Sequence, residues 1–329
     1  MISASQSLYE KAKRLIPGGT QLLSKRPEMF APENWPAYYR EAQGCEVIDL
    51  DGNRLLDMSI MGIGTCLLGY NDPDVSSAVI RRIKAGSMSS LNNPEEVELA
   101  EALLEIHPWA EQVRYSRTGG EAMAIAVRIA RAKTRRNIIA FCGYHGWHDW
   151  YLSSNITNKN NLDSHISNNI RIAGVNKKLK NTTYLFQYND LEKLEYLLKN
   201  KNIGIIKMEV ERNTKPKNNF LKQVRRLANK YKAVLIFDEC TSGFRETFGG
   251  LHKFYNVEPD IAIFGKALGN GYAINAIIGK KSVMSYASST FISSTFWTER
   301  VGPAAALETL NVMEKTKSWQ KITLTGKKI

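Results

Sequence analysis

Lys266 follows a short run of branched apolar residues and precedes a glycine-rich loop, in the stretch IAIFGKALGNGYAINAIIG (Ile261 to Gly279). The run reads as a buried parallel strand, and a lysine just beyond its carboxyl end lies where open α/β sheets place their ligands. An amine held in a partly desolvated pocket has a lowered pKa and can form a Schiff base with an aldehyde; the ordinary alternative is a solvated surface lysine. A second strand end supplies an acid. In IFDECTSGFR (Ile236 to Arg245), Asp238 closes an apolar run and is followed by Glu239, Cys240 and Thr241. Alone it could cap a helix or sit in a turn. Beside a strand-end lysine it acquires a chemical rationale, because a pyridine ring acting as an electron sink needs a carboxylate at its nitrogen, just as its aldehyde needs an amine.

Two further segments fit the same chemistry. In YSRTGGEAMAIAVRIAR (Tyr115 to Arg131), Thr118, Gly119 and Gly120 immediately precede an amphipathic run, so backbone N–H groups and the helix dipole would form an anion site. A tight turn into a helix is the alternative. In FCGYHGWHDWY (Phe141 to Tyr151), Tyr144 follows another strand and could lie flat on an aromatic ligand. His145, His148 and Asp149 in the same segment have the residue types of a metal site, but Gly146 weakens helix between the histidines and no third ligand is evident, so no metal is expected.

These residues must be held by an alternating α/β framework. Apolar strands are expected at Asn137 to Cys142, Ile203 to Met208, Ala233 to Asp238, Ile261 to Phe264 and Ala273 to Ile278. Between them Ala122, Ile125, Ala126, Ile129 and Ala130 recur at helical spacing, as do Leu221, Val224, Leu227, Ala228 and Tyr231. Upstream, helices fit Ser5 to Ile16, Asp72 to Ala85 and Asn93 to Glu105, and a hairpin turning at Asp51-Gly52-Asn53 fits Cys45 to Ser59. Leu152 to Thr183 is polar and Asn-rich and reads as a loop or a lightly structured excursion.

Composition bounds the function. With 43% hydrophobic and 23% charged residues in 329, the chain reads as a soluble globular protein, and neither a membrane-length apolar run nor a signal-peptide core is present, so a cytoplasmic location is expected. Cys45, Cys66, Cys142 and Cys240 are widely spaced, which suggests reduced thiols rather than a zinc ribbon or a disulfide framework. The net charge of +13 invites a nucleic-acid reading. Much of that charge lies in Asn- and Lys-rich stretches such as Asn176 to Asn181 and Lys215 to Asn219, which read as solvated loops, and no nucleic-acid or membrane partner is expected.

In this order the motifs resemble the fold-type I pyridoxal-phosphate enzymes, and specifically the class III aminotransferase family that includes glutamate-1-semialdehyde aminomutase. The resemblance runs from IPGGTQLLSKRP (Ile16 to Pro27) to STFWTERVGPAAA (Ser294 to Ala306), with TGGEA, YHG, ME, FDE, GFR, GK and STF motifs in family order. It implies an α/β fold with a mostly parallel central sheet, helices on both faces and an incomplete small domain. Residues 1–60 would form an amino-terminal arm and part of that domain, 61–305 the large cofactor-binding domain, and 306–329 the start of a carboxyl-terminal domain. The cofactor implied is pyridoxal 5'-phosphate.

Carried over by position, the resemblance makes Lys266 the Schiff-base lysine and Asp238 the partner of the pyridinium nitrogen. Tyr144 would stack on one face of the ring, with His145 beside the cofactor, and Cys240 would take the place of a Val near the other face. Thr118, Gly119 and Gly120 would bind the phosphate, without the hydroxyl the family often carries where Gly120 stands. Thr295 would reach the phosphate from a neighbouring subunit, implying a homodimer. Glu209 would lie near cofactor and substrate, followed here by Val210 where the family has Pro. The activity implied is amino-group transfer between small-molecule donor and acceptor, by a transaminase or an aminomutase. The family continues past the position of Ile329, so a truncated homologue that binds the cofactor but is catalytically impaired is the alternative; the basic charge alone motivates a third reading, a non-enzymatic interaction protein.

Overall fold

The computed structural model describes residues 3–163, 165 and 170–329. A three-stranded antiparallel sheet comes first, built from β1 (Tyr39–Gln43), β2 (Glu46–Asp49) and β3 (Arg54–Leu56). The expected turn joins β2 to β3, and the Asp49 carboxylate ties it by accepting the amides of Asp51 (3.0 Å) and Asn53 (2.8 Å).

The main sheet has seven strands among the described residues. They are β4 (Gln112–Ser116), β5 (Ile138–Cys142), β6 (Thr183–Leu185), β7 (Ile203–Glu209), β8 (Val234–Asp238), β9 (Ile261–Phe264) and β10 (Asn275–Gly279). Their spatial order is β4-β10-β9-β8-β7-β5-β6. Pairing is parallel from β6 through β9, whereas β10 is antiparallel to both its neighbours. The reversal follows from chain length: residues 265–274 connect β9 to β10, too few for the helical crossover that a parallel return requires. Asn270 (φ 43°) and Gly271 (φ 98°) turn the chain back instead.

Helices cover both faces. They include α1 (Ala4–Leu15), α2 (Pro73–Lys84), α3 (Glu95–Ile106), α4 (Gly119–Thr134), α5 (Leu191–Asn200), α6 (Phe220–Lys230) and α7 (Val301–Thr316). Asp72 caps α2, and Asn93 accepts the Glu96 amide at 3.1 Å ahead of α3. One core lies between α4 and the sheet, with Ile125, Ala126 and Ile129 against Ile205, Ile236 and Ile263. Another lies under α5 and α6, where Leu194, Leu197, Phe220 and Val224 meet Ile206, Met208 and Phe237. Cover on both sides explains why β7 to β10 are buried throughout and read as continuous apolar runs.

Three main-sheet features escape the sequence reading: β4, β6 and α5. The two strands are the sheet edges, short and lacking a neighbour on one flank, so their polar and aromatic residues carry no clear period. The Asn-rich excursion holds short helical turns at Ser154–Thr157 and Lys177–Leu179; its residues 164 and 166–169 lie outside the described residues. No helix among the described residues is long and apolar enough to cross a membrane.

Candidate active site

Lys266, Asp238, Cys240, Tyr144, His145, Thr118, Gly119 and Gly120 all line one cavity of about 380 Å³ at the carboxyl ends of the parallel strands. Lys266 emerges from β9 with φ of 40°, a conformation costly for a side-chain-bearing residue and held here by the packed turn around it. A Cβ on the preceding Gly265 would meet the Asn275 amide oxygen, so a larger residue there would have to displace that side chain. The lysine amine donates to Thr241 Oγ1 at 2.7 Å. Burial, the largest influence, holds its pKa below the usual lysine range, although Cys240 and Asp238 oppose the shift.

Asp238 is 4% exposed. One carboxylate oxygen accepts the Cys240 amide at 3.1 Å, and the other lies 2.8 Å from His145 Nδ1. Burial alone would raise its pKa; Lys207 and then the His145 bond outweigh burial and hold the carboxyl below its ordinary range. His145 thus bonds Asp238 directly. Its other nitrogen, Nε2, lies 3.1 Å from the Cys142 carbonyl oxygen, so both ring nitrogens face acceptors. An imidazolium would satisfy both, but burial and the Lys207 charge push the pKa down to about 4. At neutral pH the ring therefore carries one proton, which we assign to Nδ1, facing the stronger acceptor.

The anion cradle forms where α4 begins. Thr118 and Glu121 make a capping box: Glu121 N donates to the Thr118 hydroxyl (3.4 Å), and the Glu121 carboxylate accepts from Thr118 N (2.9 Å) and Arg117 N (3.0 Å). The Thr118 amide is thereby used up, and the first-turn amides of Gly119 and Gly120 are left to meet an anion. A Cβ on Gly120 would stand 2.7 Å from the His148 ring, so the bare glycine makes room for that imidazole. His148 packs there rather than joining His145, and among the described residues no group of three or more His, Cys, Asp or Glu could hold a metal ion.

Tyr144 lines the cavity and meets Tyr151 edge-on, with ring centres 6.2 Å apart. Cys240 Sγ lies 3.7 Å from Asn275 Oδ1, and burial pushes its thiol pKa well up. Two expected residues stand apart. Glu209 lines a neighbouring cavity of about 170 Å³, where its carboxylate accepts the Tyr144 amide at 3.0 Å and approaches Arg212 at 3.5 Å. Burial first, and the Asp238 charge second, raise its pKa. Thr295 is exposed and does not line the Lys266 cavity of its own chain; Arg117 holds its segment by donating to the carbonyls of Trp297 (3.1 Å) and Glu299 (2.6 Å).

Sequence reasoning missed Thr241, the roles of His145 and His148, and Lys207. The signal for Lys207 was present, as a lysine within the otherwise apolar stretch IGIIKM. An amine, a buried carboxylate, an aromatic face and orphan helix amides around one cavity match the needs of an aldehyde-bearing, phosphorylated pyridine.

Comparison with known proteins agrees with this chemistry. Residues 29–329 match the model of the aminotransferase class-III family. The 3-aminobutyryl-CoA aminotransferase of Cloacimonas acidaminovorans is 36% identical, over 99% of this chain and 77% of that protein. The glutamate-1-semialdehyde 2,1-aminomutase of Sulfurisphaera tokodaii is 34% identical over the same shares. Among solved structures, an omega-transaminase from Sphaerobacter thermophilus superposes with a TM-score of 0.82 at 27% identity, covering 94% of this chain and 73% of that one. A transaminase with PLP bound gives 0.84 at 25% identity, covering 95% and 74%.

Proposed function

On the premise that the chain belongs to the class-III aminotransferases, we propose that it transfers an amino group between small molecules at the Lys266 cavity, with pyridoxal phosphate as cofactor. When bound, the cofactor supplies an aldehyde and a ring that disperses carbanion charge. The convergence of the Lys266 amine and the Asp238–His145 pair on one cavity carries this reading.

Each residue has a distinct task. Lys266 would supply the amine for the cofactor aldehyde and serve as the base that takes a proton from the substrate carbon; its lowered pKa favours the neutral base. Thr241 holds that amine in place. Asp238, oriented by His145, keeps a proton at the ring nitrogen. Tyr144 and Cys240 would flank the ring, and the amides of Gly119 and Gly120 would receive the phosphate. Glu209 orients the Tyr144 backbone from the neighbouring cavity. We propose a cytoplasmic homodimer, in which the exposed Thr295 serves the partner's site.

Borohydride reduction of the cofactor-loaded protein followed by peptide mapping tests the assignment. The label is expected on Lys266, and Lys266→Ala should lose it together with turnover, by about ten-thousand-fold. Labelling elsewhere, or a folded Lys266→Ala protein with full activity, would sink the reading. Glutamate 1-semialdehyde supplied without an amino donor then separates intramolecular from intermolecular transfer, since product forms only in the first case.

A further inference from the structure

Lys207 lies in β7, a strand buried along its whole length, and its own exposure is 0%. Its amine is 2.8 Å from Met123 Sδ and 6.0 Å from the centre of the Trp150 ring. Among the described residues no carboxylate comes within 4.0 Å of it. A buried amine met by a thioether and an indole face, without an ion pair, is poor for stability: burial, the largest influence, lowers its pKa, although Asp238, Cys240 and Glu209 oppose the shift, and an apolar chain of the same length would fill the space without that cost.

The register shows what the charge faces. Lys207 pairs with Ile236 and Glu209 with Asp238 across the parallel strands β7 and β8, so all four side chains project to the α4 side of the sheet. The ionisable groups around Lys207 are Asp238, Cys240 and Glu209, with His145 bonded to Asp238 and Lys266 across the cavity. We propose that Lys207 is a positioning residue of the cofactor site, whose charge bears on the Asp238 carboxylate from beyond contact distance and so sets how firmly the ring nitrogen of pyridoxal phosphate holds its proton.

This rests on Asp238 being the ring nitrogen's partner. A carboxylate and a pyridinium form a neutral buried pair, and a second cation beside them leaves an excess positive charge that the ring nitrogen relieves by giving up its proton.

The experiment loads the protein with cofactor labelled with 15N at the ring and follows that resonance against pH. In Lys207→Met the midpoint of ring-nitrogen deprotonation should move up by roughly one pH unit or more, the effect of removing a unit charge several ångströms away at an effective dielectric near 20. A folded variant whose midpoint is unchanged or lower overturns the proposal. Lys207→Ile, a strand-favouring substitution, repeats the test should the methionine variant fail to fold. Asp238→Asn separates the two readings. If it lowers the midpoint while Lys207→Met has no effect, only the role of Lys207 fails; if Asp238→Asn also has no effect, the assignment of Asp238 fails.

Discussion

Asp238 and Glu239 are consecutive acids at the end of β8, and each has a histidine nitrogen 2.8 Å from its carboxylate. Alternation sends them to opposite faces of the sheet. Glu239 is 0% exposed and fully engaged: it accepts the amides of Leu251 (3.1 Å) and His252 (2.9 Å), the Ser242 hydroxyl and His252 Nδ1. His252 Nε2 in turn accepts the Trp109 indole N–H at 2.9 Å, which places the ring proton on Nδ1 and satisfies a neutral ring completely. Asp238 has two protein donors and a face on the cavity, and its histidine has acceptors at both nitrogens. A carboxylate whose lone pairs are all taken holds the fold together. One with capacity left over, beside an imidazole with a proton too few, is equipped to hold a ligand.

Substitution should separate the two acids. Asp238→Asn is expected to lower turnover about a hundredfold or more, because the ligand loses its charged partner. Glu239→Gln should instead cost about 1–3 kcal/mol of unfolding free energy, because buried amides lose the carboxylate that accepts them, with the turnover of the remaining folded fraction intact. Denaturant titration and kinetics on both variants check this. A Glu239→Gln protein that is stable but inactive would erase the contrast.

Acid should sharpen the contrast further. His107, 0% exposed, sits beside His252; its Nδ1–H donates to the Leu103 carbonyl (2.9 Å) and its Nε2 accepts the Gly250 amide (3.1 Å). Burial, above all, holds its pKa to about 3, and that of His145 to about 4. Below the unfolded value near 6.5 the unfolded chain takes up protons that the native rings refuse, so stability falls as pH falls from about 6.5 towards 4. His107 alone should contribute about 3 kcal/mol of that loss at pH 4. Melting curves at pH 7 and pH 4 measure it, and His107→Gln should flatten the difference; an equally steep loss in that variant would move the effect elsewhere.

Much of this site is legible in the chain because its parts sit at strand ends, where an apolar run stops at a chemically capable residue. Lys266, Asp238 and Tyr144 were found that way, and the Thr118 to Gly120 turn by the amphipathic run it precedes; all line the cavity. Their supports were not legible, since each depends on a residue distant in sequence. Asp238 meets His145 across 93 positions, and Lys266 meets Thr241 across 25. Glu209 carries the same kind of strand-end signal, yet its side chain turns into the next cavity to hold the Tyr144 amide. The edge strands β4 and β6 were missed because half of their pairing is absent, and with it the burial that writes a period into sequence.

By itself the sequence determined the alternating framework, the strand ends that carry the amine and the acid, and the glycine turn at the head of α4, because periodicity and punctuation are local properties of a chain. Tertiary structure decided which acid is free to act and which is consumed, that His148 fills the space left by Gly120, and that a buried lysine lies one strand away from Asp238. Those outcomes depend on which lone pairs and which volumes neighbouring elements occupy, and such neighbours meet only when the sheet and its helices pack.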